Sequence, residues 1–341
     1  MPDRETSSRR TAPTIAVIGA GMAGATAAGT LAAAGYAVRL FDKGRGPGGR
    51  MASRRLLLDG RERRFDHGAQ YFTARDAGFR TDVARWRAAG VVAPWHARLA
   101  RIGRDGAVAE PDTEERLVGL PAMSAVIRHL TDPLDVAWGV EIATLAAGAD
   151  GWRLAAADGT DHGRFDIVLL AIPPDQARAR LPGHPFAAAL DRVRMAPCFA
   201  AMVVARAADP GFDAAIVEDG GPLAWVARQG SKPGRADDGW VAHATPDWTL
   251  DHLDDDRERV TAILAGRLGR LIGAEATAVP LALHRWRYAR TLAPLGRPCL
   301  FDAATGIGLA GDWCLGARVE AAWLSGRALA GVVMESLGLG N

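Results

Sequence analysis

Hydrophobic positions recur with two different periods along this chain, and the switches between them mark its elements. From Thr14 to Ile18 a short β-branched run leads into glycines, then an Ala/Leu segment to Ala34 closed by Gly35, then Ala37-Val38-Arg39-Leu40-Phe41-Asp42. That order predicts strand, turn, helix and strand. A second block starts at Gly119, with helical periodicity from Met123 to Leu130, a strand from Asp135 to Ile142 and a hairpin around Asp150-Gly151. The run Asp166 to Ile172, apolar after its first residue, predicts a strand buried on both faces. Between Pro197 and Thr245 the segments Phe199 to Arg206, Leu223 to Arg228 and Trp240 to Thr245 alternate between Gly/Pro/Asp-rich turns, which predicts an antiparallel sheet and a second domain. A helix follows, with Val260, Ile263, Leu264, Leu268, Leu271 and Ile272 on one face; Asp254 to Asp256 at its start suit a cap better than a metal site. Ile307 to Asp312 then leads into a closing helix from Val319 to Leu337.

Composition narrows the class. The chain has 341 residues, 49% of them hydrophobic and 23% charged, enough for one large or two interleaved cores and too apolar for disorder. Lysine plus arginine number 41 against 39 acidic residues, so nothing points to a nucleic-acid partner. Lys43 and Lys232 are the only lysines, which leaves two candidates for Schiff-base chemistry. Cys198, Cys299 and Cys314 form no CxxC pair, which predicts no metal cluster or redox disulfide and suits a reducing cytoplasm. Arg9-Arg10 precede an uncharged stretch from Thr11 to Val38, but that stretch is Ala/Gly-rich, too weakly apolar for a membrane span. Residues 1–12 are expected to be a polar tail and the protein to be cytoplasmic, with no membrane partner.

The chemistry begins at Gly19-Ala20-Gly21-Met22-Ala23-Gly24, a GxGxxG turn between predicted strand and helix, with Asp42 eighteen positions after Gly24. The first glycine permits the turn, the second admits a pyrophosphate to the helix N-terminus, the third brings helix against strand, and the acid accepts ribose hydroxyls. This predicts a dinucleotide and leaves NAD or FAD open. Two further segments decide it. Lys43-Gly44-Arg45-Gly46-Pro47-Gly48-Gly49-Arg50-Met51 offers a second close backbone approach and a bidentate phosphate donor in Arg50. Gly311-Asp312, between an apolar strand and a helix, offers a carboxylate for a ribityl hydroxyl and a helix N-terminus for a reduced flavin ring. Both ends of the chain thus converge on one extended cofactor, FAD.

The spacing from Asp42 to Gly48-Gly49-Arg50 resembles the FAD signature of the amine-oxidase-like flavoproteins. Asp66-His67-Gly68-Ala69-Gln70-Tyr71, with Gly311-Asp312, narrows the resemblance to the renalase family and its bacterial members. Further matching pieces run from Gly119 to Ser124, Phe165 to Pro173, Val241 to Thr245, Trp286-Arg287 and Gly316 to Ala322, nearly the whole chain. The resemblance implies an α/β fold, a Rossmann-type FAD-binding domain (13–74, 116–180 and 294–341) interleaved with a mainly antiparallel-sheet substrate domain (75–115 and 181–293), as in hydroxybenzoate hydroxylase. The expected cofactor contacts are Gly19, Gly21, Ala23, Gly24, Asp42, Lys43, Gly49, Arg50, Met51, Gly68, Ala69, Gln70, Tyr71, Val140, Gly311, Asp312, Val319 and Glu320. Ala23 departs from the hydroxyl-bearing residue of some relatives, which leaves only its backbone; His67 replaces an apolar residue and carries no assigned role.

Strand alternation places His284, Trp286 and Tyr288 on one face, with His243 on another strand; with Tyr71, the expected catalytic set is His243, Trp286, Tyr288 and Tyr71. Aromatic residues in strands are also common core. The resemblance implies oxidation of 2- and 6-dihydro isomers of NAD(P)H to NAD(P)+, with oxygen as acceptor and hydrogen peroxide as product, a metabolite-repair role. Removing a hydride from a dihydropyridine demands no general base. The alternative is a flavin amine oxidase, a family that commonly uses a lysine water-linked to flavin N5 and a tyrosine cage. The strand Pro197 to Arg206 has no lysine, and the only tyrosines are Tyr36, Tyr71 and Tyr288, although Trp313 can replace one cage wall. A lesser alternative is a non-catalytic FAD-binding protein.

Overall fold

The computed structural model describes residues 13–111, 113–206, 209–235 and 238–338; the expected polar tail lies outside them. Strand β1 (Thr14–Ile18), helix α1 (Met22–Ala33) and strand β2 (Ala37–Asp42) form the predicted βαβ start, with β1 and β2 parallel from Thr14↔Ala37 to Ile18↔Phe41. They belong to a six-stranded sheet ordered Leu300–Asp302, Ile307–Leu309, Ile167–Leu170, β1, β2, Asp135–Trp138, parallel except for the first pair. Helix α1 is Ala/Gly-rich because another helix, Val319–Ser336, lies directly on it: a Cβ at Gly326 would sit 2.2 Å from the Ala23 carbonyl oxygen. This is the expected Rossmann-type layer.

The predicted strand from Asp135 to Ile142 divides in two. Gly139 adopts φ 77°, its N–H donates to the Gly44 carbonyl, and the Val140 N–H donates to the Asp42 carbonyl. The chain therefore turns off the sheet at the end of β2, and Ile142–Gly148 starts a separate three-stranded sheet with Gly151–Ala156 and Asp161–Phe165. A hairpin, β3 (Ser53–Leu58) and β4 (Arg61–Asp66), leads into helix α2 (Ala77–Ala88) by way of residues 67–76.

The remaining large sheet has seven strands, ordered Val279–Ala293, Arg194–Val204, Gly239–Ala244, Leu223–Arg228, Ala214–Val217, Leu99–Gly103, Gly106–Ala109. Its one parallel pair is Ala214–Val217 with Leu99–Gly103. Helix Arg257–Ile272 covers one face through Val260, Leu264, Leu268 and Ile272. Asp256 caps it as expected, its carboxylate accepting from the N–H groups of Glu258 and Arg259. The opposite face turns toward the first sheet. Phe65 of β4 packs on that face against Met202, Val204 and Val241, which anchors the hairpin on the seven-stranded sheet. Among the described residues no helix is long and apolar enough to cross a membrane.

Candidate functional site

The two glycine loops meet. Gly19 has φ 101°, and a Cβ there would lie 2.5 Å from the Ala171 carbonyl oxygen; a Cβ at Gly24 would lie 1.8 Å from that of Gly19. Gly21 differs: it caps α1 with no side-chain cap, and a Cβ there would meet no atom within 4 Å. The uncapped N–H groups of the first turn thus face open space, the arrangement that takes a pyrophosphate. Gly49, at φ 53°, brings the second loop to Gly21, its Cβ position 3.3 Å from the Gly21 Cα. Asp42 ties the two together, accepting from the N–H of Ala20 at 2.7 Å and of Gly44 at 2.7 Å. Its carboxylate therefore braces both loops, a task the ribose expectation did not include.

Several expected contacts are otherwise engaged. Arg50 forks onto Asp312, at 2.7 and 2.5 Å, so the residues expected to hold phosphate and ribityl hydroxyl hold each other. Glu320 is buried and its carboxylate accepts, through Oε1, from the N–H groups of Arg75 and Asp76 ahead of α2. Met51 is buried core, Lys43 is exposed, Ala23 is covered within α1, and Val319 opens the last helix. The Gly311 N–H donates to Ser325 Oγ at 2.9 Å. The cradle of glycines and the uncapped helix fit an extended dinucleotide; Arg50, Asp312 and Gly68 stand along it.

The link to the second sheet is the segment Asp66 to Tyr71. A Cβ at Gly68 would lie 2.0 Å from the Arg50 carbonyl oxygen and 3.3 Å from the Trp286 ring, and the Ala69 N–H donates to that Arg50 carbonyl. The His67 carbonyl accepts from Trp286 Nε1 at 2.9 Å and lies 3.1 Å from His243 Nε2. The His67 ring stacks on Trp286, centroids 5.2 Å apart, and meets His284 edge-on at 4.7 Å. One row of the sheet supplies this wall: His284 and His243 flank Ala200, and Trp225 follows beside His243. Burial pushes the pKa of His67, His243 and His284 down to about 4, so all three rings are neutral at pH 7.

The other two members of the expected catalytic set have different neighbours. Tyr71 packs between Trp95 and Trp225, with Arg116 over its ring at 5.5 Å. Tyr288 falls where the register slips from Cys198↔Trp286 to Ala196↔Arg290, and its phenol is raised by burial and by Asp175. The slip breaks the simple alternation that grouped it with Trp286.

Behind the segment lies a buried polar cluster that periodicity gave no reason to expect. Asp66, fully buried, meets Lys232 Nζ at 2.9 Å and Arg235 at 2.7 Å, and accepts from Ser53 Oγ and the Met123 N–H. Lys232 also donates to Gln70 Oε1 and Gln229 Oε1, both at 3.2 Å. Gln70 donates to the Asp66 carbonyl. Lys232 follows the short turn Gln229–Ser231, and its rarity in the composition was the only signal for it. His67 was given no role by the sequence, whereas His284 was expected on the substrate face with Trp286 and Tyr288.

Residues 17–85 match the NAD(P)-binding Rossmann-like domain family, and residues 107–334 match the flavin containing amine oxidoreductase family. Among solved structures, a protein from Exiguobacterium sp. 255-15 assigned as a protoporphyrinogen oxidase superposes with TM-score 0.75 at 13% identity, covering 95% of this chain and 99% of that one. Putrescine oxidase bound to putrescine gives 0.67 at 14%, covering 95% and 99%. A cofactor-binding redesign of putrescine oxidase gives 0.69 at 14%, covering 95% and 100%. At such identities the structural likeness is one of fold. The cofactor is FAD, as the glycine loops led one to expect. With two thirds of its length in the match and the fold to go with it, the chain belongs to the flavin containing amine oxidoreductases.

Proposed function

We propose that the protein is an FAD-dependent oxidase that converts 2- and 6-dihydro isomers of NAD(P)H to NAD(P)+, as the renalase family does. The observation that carries this reading is the charge around the aromatic wall. The ions acting on His67, His243 and His284 are Lys232, Arg54 and Arg257, all cations, while Asp66 is spent on Lys232 and Arg235. Among the described residues named around it, such a wall offers a protonated amine cations in place of a counter-ion, and it favours a planar ring carrying a pyrophosphate. Bound FAD would supply the hydride acceptor, and its reoxidation by oxygen, with one proton drawn from water, would give hydrogen peroxide. The chain's own part is to bind and orient: the tight backbone at Gly68 and the rings of His67, His284 and Trp286 hold the dihydropyridine flat. No proton leaves with the hydride, and neutral histidines suit that chemistry. On this reading segments 13–74, 116–180 and 294–341 hold the cofactor and segments 75–115 and 181–293 the substrate.

Amine oxidation has less support. Each of the three donors of Lys232 has a protein acceptor, Asp66, Gln70 or Gln229, so none is left for a bridging water. Tyr71 is tilted by 48° and 47° against Trp95 and Trp225, which makes no pair of parallel walls. Anaerobic stopped-flow absorbance with each donor in turn decides. Fast flavin bleaching is expected with the dihydro isomers and slow bleaching with monoamines, polyamines and ordinary NADH; rapid bleaching by an amine with none by the isomers would reverse the assignment.

A further inference from the structure

Arg54 lies at the edge of the aromatic wall, and its position follows from the β3–β4 hairpin. The register pairs Ser53 with Asp66 and Arg54 with Phe65, so Arg54 shares a face with Leu56, Leu58 and Phe65. Leu56 and Leu58 pack on the Phe65, Met202, Val204 and Val241 cluster, together with Leu281 and Ala282 of the outer strand. In the sheet, the row Met202↔Ala282 is followed two residues on by Ala200↔His284. Arg54 continues the leucine face in that direction, where its charge reaches the rings of both His67 and His284. It is exposed, and among the described residues it has no carboxylate partner; of the two acids of the hairpin arm opposite, Glu62 is taken by Arg55 and Arg64, and Asp66 by Lys232 and Arg235. Arg257, the other cation near His284, donates to the Leu283 carbonyl and stands beside Asp254 to Asp256.

We infer that Arg54 is the anion subsite of the substrate site, holding the pyrophosphate of a dinucleotide whose reduced ring lies against His67, His284 and Trp286. This rests on the proposed function and names its substrate contact. A pyrophosphate begins one ribose away from the ring, and a guanidinium can fork onto it. Arg54 touches no reacting atom, so it acts on affinity and leaves the chemical step alone.

The test compares wild type, Arg54→Met and Arg54→Lys, each loaded with FAD, in anaerobic flavin reduction. The donors are a 2- or 6-dihydro-NAD isomer and an N-alkyl dihydropyridine isomer without phosphate. Arg54→Met should weaken the dinucleotide's apparent Kd about tenfold with an unchanged limiting rate, Arg54→Lys by less, and the truncated donor should not distinguish the three. Equilibrium titration with NAD+, followed by tryptophan fluorescence, should give the same ratio. Equal Kd values for the dinucleotide in wild type and Arg54→Met would overturn the subsite, as would an equal loss with the truncated donor. If neither donor reduces the wild-type flavin, the proposed function fails first and the subsite with it.

Discussion

Protonation links the site residues to stability. His67, His243 and His284 have folded-state pKa values of about 4 against an ordinary value of 6.5, because burial disfavours their charged forms. A lowered histidine pKa means that the unfolded chain takes up protons first, so stability present above pH 6.5 is lost as pH falls toward 4. Each such histidine contributes a slope of about 1.4 kcal/mol per pH unit in that window. Asp66 acts in the same direction lower down: Lys232 and Arg235 outweigh its burial and hold its carboxyl below the usual range, so its contribution fades only below about pH 4. Urea unfolding of the holoenzyme between pH 7 and pH 4.5 should show midpoints falling steeply with acid. His243→Gln keeps an N–H donor for the His67 carbonyl while removing one titration, and should flatten the curve. A wild-type midpoint that does not move across this range would exclude neutral buried histidines.

Among the elements, the first βαβ unit and the hairpin segment were legible to very different degrees. The glycine turn could be read because its constraints are local: Gly19, Gly21 and Gly24 act within one turn between β1 and α1, and their spacing states their tasks. The Lys232 cluster was not legible, since its partners Asp66 and Gln70 lie 166 and 162 residues away in sequence. Tyr288 falls at a register slip that a period of two cannot foresee. The split of the strand after Trp138 turned on one glycine with positive φ, Gly139. The local glycine tasks yield a sharp contrast between two variants. Gly21→Ala meets no atom of the protein, so the apoprotein should fold with an unchanged thermal midpoint while losing about tenfold or more in FAD affinity. Gly24→Ala drives a Cβ into the Gly19 carbonyl and should lower the apoprotein's midpoint itself. Wild-type FAD affinity in Gly21→Ala, measured by flavin fluorescence on release, would take the pyrophosphate away from this helix.

At the scale of the whole molecule, the two large sheets are joined by few covalent routes, and one of them, β4 with its Asp66 to Tyr71 extension, passes between the Arg50 backbone and Trp286. A cofactor lying along the glycine loops and Gly68 would touch both layers, so its binding energy is also energy of assembly. A ligand that binds only the folded chain adds about 2.7 kcal/mol at a hundredfold excess over Kd. The thermal midpoint of deflavinated protein should therefore be lower than that of the holoenzyme and rise continuously with added FAD. The link should be non-covalent. Cys314 is buried with its thiol pushed up to about 12, Cys198 likewise, and burial also raises Cys299, so none is a ready thiolate. Acid precipitation of the holoenzyme should accordingly leave the yellow colour in the supernatant, and the recovered apoprotein should regain its midpoint with FAD. Colour retained in the pellet would mean a covalent flavin, and a midpoint indifferent to FAD would mean that the cofactor does not bridge the sheets.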